Sequence, residues 1–286
     1  MFSIRMAFAT LVLGAALPAA AVVSNSYSFT SQSTVTGANV WNNAPAGYDP
    51  VTGTNYGNVR TFTGLAGATP VSVSAWGSTG GATPGFGGTI QSGYVGRYGT
   101  DEVAVTSRPT AAANAELNSS HNPNTGNNQH AMDNVGAYES LLFSFQSSVT
   151  LNDVSIGFPP TGSGLDSDAT VLVYTGNAAD PTAGFNVRTY SDLLSSGWQI
   201  AGNLFDLTPG TKGTLSTTMS SKYWMVGAFM NIGGNTMIAH DNTVDFLKIS
   251  GLTVTPRAGV PEPGTLALFG IAAMALMAGR RKGRRA

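Results

Sequence analysis

No cysteine occurs among the 286 residues. Disulfides, thiolate nucleophiles and Cys-ligated metals are therefore excluded. Charge is nearly as scarce: Asp, Glu, Lys and Arg make up 10% of the chain, against about 25% in an ordinary soluble domain. Glu, Lys and Gln, which populate exposed helix faces, are thinly spread, so a helical bundle is not expected. Histidine is limited to His121, His130 and His240. They show neither His-x-His nor i,i+4 spacing, so no zinc pattern forms. The Gly-x-Ser-x-Gly elbow of a serine hydrolase is missing. Gly85-Phe86-Gly87-Gly88 has no Lys after it and opens no helix, unlike a phosphate loop. A glycosidase needs two facing carboxylates, and no pair stands out from the scattered acids. An enzyme is not expected.

Thr, Val, Ser, Gly and Asn are plentiful instead, with 36 Gly, 14 Pro and 42% hydrophobic residues. That hydrophobic share rules out disorder of the low-hydrophobicity, high-charge type. The formal net charge of −1 conceals an asymmetry. Arg5, Arg280, Arg281, Lys282, Arg284 and Arg285 lie at the ends, while residues 22–260 hold 8 basic and 14 acidic groups, a net −6. Nucleic-acid binding, which calls for a basic patch, is not expected.

Alternation and β-branched or aromatic enrichment predict strands at Tyr27–Ser31, Val59–Thr63, Val71–Trp76, Glu102–Ser107, Leu141–Phe145, Val149–Phe158, Thr170–Thr175, Trp198–Leu207, Tyr223–Met230 and Val244–Val254. Leu141–Phe145 and Val171–Tyr174 read as buried central strands. One short helical turn is predicted near Ser191–Ser195. Ten or more strands without alternating helices imply an all-β fold, an antiparallel β-sandwich or jelly roll. Thr110–Gln129 reads as a long polar loop and Gly77–Gly88 as a second flexible stretch. Neither breaks the strand pattern, so residues 22–255 are expected to form one ectodomain.

Both ends carry targeting chemistry. Arg5, the apolar run Met6–Leu17, Pro18 and the small residues Ala19, Ala20 and Ala21 predict a cleavable signal peptide over residues 1–21. At the other end, Val260-Pro261-Glu262-Pro263 precedes an uncharged stretch, residues 264–279, and then the cluster from Arg280 and Arg281 onward. At 1.5 Å per residue that stretch covers roughly 22–24 Å, short of a ~30 Å hydrocarbon core. The basic cluster is expected to stay cytoplasmic. A short anchor directly after a compact motif suits a segment that is recognised and removed. Residues 256–286 resemble the PEP-CTERM sorting signal, with Val260, Pro261, Glu262 and Pro263 as motif and Arg280 and Arg281 as basic end. The resemblance implies a membrane-anchored precursor in a Gram-negative bacterium, processed by exosortase and delivered to the cell surface or matrix. Residues 57–255 also resemble a recurrent group of exosortase-dependent surface proteins, through stretches such as Arg60-Thr61-Phe62-Thr63, His130-Ala131-Met132-Asp133-Asn134, Asp166-Ser167-Asp168 and Leu193–Trp198. That group implies no biochemical activity.

Asp133, Asn134 and Glu139 precede one strong strand, and Asp166 and Asp168 another. Oxygen ligands of this kind suit a structural Ca²⁺. The same residues also cap turns through side-chain to backbone bonds. Trp41, Trp76, Trp198, Trp224, Tyr94 and Tyr98 offer rings either for sugar stacking or for the core. The expected role is structural or adhesive within an exopolysaccharide layer or biofilm. The alternative is a carbohydrate-binding module of the same fold.

Overall fold

The computed structural model describes residues 24–29, 33–34, 54–55, 59–65, 68–78, 88–98, 102–106, 131–134, 137–158, 166–234, 245–257 and 270. The signal peptide with Ala19 and Ala21, the loop 110–129, the sorting motif and the span 264–279 lie outside them. So do Trp41 and most of the stretch 77–88. No helix among the described residues is long and apolar enough to cross a membrane.

Nearly all regular structure described is strand. The strands are β1 (Asn25–Ser28), β2 (Ser33–Thr34), β3 (Thr54–Asn55), β4 (Val59–Phe62), β5 (Val71–Ser78), β6 (Ile90–Ser92), β7 (Tyr94–Tyr98), β8 (Glu102–Thr106), β9 (Met132–Asp133), β10 (Glu139–Phe158), β11 (Ala169–Tyr174), β12 (Trp198–Leu204), β13 (Lys212–Thr214), β14 (Ser221–Ala228) and β15 (Phe246–Pro256). They form an open antiparallel sheet whose main path runs β12-β11-β14-β10-β15-β8-β7-β3. Each of the ten predicted strands has a counterpart. The short strands β2, β3, β6, β9 and β13, and β7, lacked the apolar alternation that would have announced them.

The two strands predicted at Leu141–Phe145 and Val149–Phe158 are one 20-residue strand, β10. Its first half lies between β5 and β14, with Leu141 opposite both Ala75 and Val226. Its second half lies between β15 and β13, with Val154 opposite both Leu252 and Gly213. Between the halves the pairing with β14 jumps from Ser144↔Tyr223 to Val149↔Ser221, leaving three extra residues on β10. Gln146 and Ser147, at the jump, are exposed. Extra residues on one strand bend it and strengthen its twist. The Trp224 indole pins the bend, its Nε1 donating to Val149 O at 3.1 Å and to Ser221 O at 3.2 Å.

Alternation along the strands sorts the apolar side chains onto two faces. Leu141, Phe143, Val171, Val173, Trp224 and Val226 face one cluster, together with Val73, Phe29 and Leu252. Leu142, Leu172, Tyr174 and Met225 face the other. There Phe185, Tyr190, Leu193 and Trp198 close over them. Helix α1 (Tyr190–Leu193) supplies part of this cover and realises the predicted turn. Thr189 caps it, its hydroxyl accepting from Asp192 N while the Asp192 carboxylate accepts from Thr189 N. The Tyr190 hydroxyl and Ser140 Oγ are hydrogen-bonded at 2.8 Å within the core. With both faces covered, all six residues of β11 are buried. This accounts for its unbroken apolar run.

Candidate functional sites: a carboxylate cluster and a polar cleft

Asp166 and Asp168 stand just before β11, and Asp245 just before β15. Asp166 and Asp245 form a parallel bridge, and Phe246 N donates to Asp166 O at 2.9 Å. One carboxylate oxygen from each of Asp166, Asp168 and Asp245 falls within 4.8 Å of the others. Asp168 and Asp245 are buried, the latter with no exposed surface.

Hydrogen bonds from several segments hold the cluster in place. Asp168 N donates to Asp245 Oδ1 at 3.1 Å, and Asp206 N to Asp168 Oδ1 at 2.7 Å. Asn134 is a two-pronged clasp on Asp245. Its Nδ2 donates to Asp245 Oδ2 at 2.6 Å, and its Oδ1 accepts from Asp245 N at 2.9 Å. Nδ2 also reaches Phe229 O at 3.2 Å. Burial pushes the Asp245 carboxyl up to about 8, and the neighbouring Asp168 and Asp166 charges add to the rise, against the bonds from Asp168 N and Asn134. Near neutral pH the cluster must therefore take up a proton or a cation. A divalent ion would exchange for that proton and relieve the repulsion.

The predicted oxygen ligands separate into two groups. Asp166 and Asp168 meet, and Asn134 reaches them through Asp245. Asp133 and Glu139 pair with each other instead, Asp133 N donating to Glu139 Oε2 at 3.1 Å. Asp245 was missed by the sequence reading. The signal that singled out the others, an acid directly before a strong strand, applies to it too. The predicted strand began two residues early, at Val244, and so absorbed it.

A second concave feature lies where the β10 jump meets the end of β11. It is an open, polar cleft of about 330 Å³. It is lined by the wall segment Thr175–Ala179, by residues at the start of β14 and by Ser148. Tyr174 and Tyr223 stand edge to face, 6.1 Å between ring centres. Each hydroxyl ties down the wall segment: Ala178 N donates to Tyr174 OH at 2.9 Å, and Tyr223 OH donates to Ala179 O at 3.1 Å. Behind them Gly197, at φ +91°, packs against Gly176, where an added Cβ would lie 2.9 Å from the Gly176 Cα. Its carbonyl accepts from both Thr175 N and Gly176 N.

The rings expected for sugar contact are used otherwise. Trp198 and Trp224 are buried in the core. Trp76 packs edge-on against Phe185 at 4.9 Å and donates to Ser74 Oγ. The side chains of Tyr94 and Tyr98 lie outside the described residues. The Tyr174–Tyr223 pair is a product of topology, since β11 and β14 are neighbours only in the folded sheet.

Residues 259–282 match the PEP-CTERM protein-sorting motif. The chain carries a PEP-CTERM sorting signal. Val260, Pro261, Glu262, Pro263, Arg280 and Arg281 all lie inside the match. The PEP-CTERM motif indicates an exported protein, made as a membrane-anchored precursor and processed by exosortase. No curated protein and no solved structure matches the chain.

Proposed function

We propose that this PEP-CTERM protein is a non-enzymatic structural or adhesive component of the cell surface or extracellular matrix of a Gram-negative bacterium. In this reading it is held within an exopolysaccharide layer or biofilm. The PEP-CTERM motif over residues 259–282 carries the proposal, since it marks a chain for export and exosortase processing. The bend in β10 supports a sandwich-like ectodomain over residues 22–255, because residues of its two halves, Phe143 and Val154 among them, share one apolar cluster. Replacing Pro261, Glu262 and Pro263 by Ala tests the route. The variant is expected to accumulate in the membrane fraction, while the unaltered protein leaves it for the surface and matrix. Equal distribution of the two would refute it.

The carboxylate cluster supports a structural Ca²⁺ at Asp166, Asp168 and Asp245, in a fold that has no disulfide to hold its loops. At a hundred times its Kd, Ca²⁺ would add about 2.7 kcal/mol. Superimposable melts with calcium and with chelator would leave the cluster a set of turn caps.

The second reading, a carbohydrate-binding module, is favoured by the polar cleft beside the tyrosine pair. Binding of any polysaccharide by the mature protein would separate it from a purely structural role.

A further inference from the structure

We propose that the cleft between β11 and β14 is a binding site for a carboxylate-bearing glycan, with Tyr223 as stacking surface and Lys222 as the group that selects the acid. This deepens the carbohydrate-binding reading and rests on it.

Four observations converge there. The volume of about 330 Å³ lies at the small end of ligand sites, which span about 300–1,000 Å³. It suits one sugar unit. The half-buried Tyr223 ring packs against the second apolar cluster, and its hydroxyl donates to Ala179 O at 3.1 Å. An aromatic ring already immobilised loses little freedom when a sugar face settles on it. Asn177, Lys222, Ser148 and Ser220 line the same space, and their side chains have no partner among the described residues. They offer donors and acceptors at the density a hydroxyl-rich ligand demands.

The fourth observation is charge. The ectodomain is acidic overall, yet among the described residues no carboxylate lines the cleft and Lys222 does. Asp180, next along the wall, is turned into its own loop, Oδ1 accepting from Thr182 N at 2.9 Å and from Thr182 Oγ1 at 2.6 Å. A local cationic site on an acidic surface favours an anionic ligand at close range only. Its contribution falls as salt screens it.

Affinity electrophoresis of the mature protein through gels containing polygalacturonate, or the same polymer with its carboxyls reduced, tests the assignment. Polygalacturonate should retard the protein more than its reduced form, and the difference should shrink between low salt and 1 M salt. Lys222→Gln, a substitution at an exposed position, should weaken polygalacturonate binding about fivefold, the upper range for one exposed ion pair. Tyr223→Ala should weaken both polymers about tenfold or more. Melting curves of the variants must show them folded, and Tyr223→Phe, which keeps the ring, should retain binding. Equal retardation by the two polymers would overturn the acidic ligand. Retardation untouched by Tyr223→Ala in the folded variant would overturn the site. Unaltered protein that stays in the matrix fraction yet binds neither polymer would overturn the cleft while the surface and matrix role stands. Protein that binds through Lys222 and Tyr223 but never reaches the surface would leave the cleft standing and sink that role.

Discussion

Replacing Asp245 by Asn should flatten the pH dependence of folding stability. Burial and the charges of Asp168 and Asp166 raise the Asp245 carboxyl to about 8 from its ordinary 3.8. Between those values the folded chain holds a proton that the unfolded chain has released. Stability from this group is therefore complete below about pH 4 and is lost as pH rises towards 8. At about 1.4 kcal/mol per pH unit, the loss between pH 5 and pH 8 has an upper bound of about 4 kcal/mol. Relaxation around the site will reduce it. Asn is isosteric and neutral at every pH, so the variant lacks this loss. It does forfeit one hydrogen bond, because Asp245 accepts from both Asp168 N and Asn134 Nδ2, whereas an amide oxygen and an amide nitrogen cannot both accept. That costs about 1 kcal/mol. The variant should be less stable than the unaltered protein at pH 5 and more stable at pH 8. Urea unfolding at pH 5, 6, 7 and 8 with chelator present measures both profiles. Parallel profiles would refute the buried, repelled carboxylate. With calcium, the unaltered protein should gain stability at pH 8 and the variant should not.

Trp224→Phe keeps the ring in the core but removes the donor to Val149 O and Ser221 O; a loss of about 1–3 kcal/mol is expected in chemical denaturation. Gly251→Ala would place a Cβ 2.7 Å from Tyr27 O; it should push β1 away from β15, with faster amide exchange along Asn25–Ser28 and a lower melting temperature. Residues 22–124 and 125–258 expressed separately should not fold, because β10 pairs with β5, and β15 with β1, across that cut. A soluble half with its own cooperative melt would contradict this.

The strands were legible where one face is apolar and the other polar, as in Val71–Trp76 with its alternating burial. The continuous apolar runs at Leu141 and Val171 announced strands buried on both faces. The two-faced cover itself was less legible, since it depends on Phe185, Tyr190 and Trp198 folding back over β11. The joining of two predicted strands into β10 was hidden by the polar stretch Gln146-Ser147-Ser148, which looks like a turn but is a bulge. Asp166, Asp168 and Asn134 were readable as oxygen donors before strands. That they gather at Asp245 depends on a bridge between segments nearly eighty residues apart. The cleft was not readable at all, because Asn177, Lys222 and Tyr223 carry no motif and meet only when β11 and β14 pair.

Intact-mass measurement of the mature protein from its native host tests the sorting of this chain most directly. Exosortase processing predicts a species that lacks Leu266–Ala286 and with it the cluster at Arg280 and Arg281. A mass extending through Ala286 in protein recovered from the cell surface would contradict it.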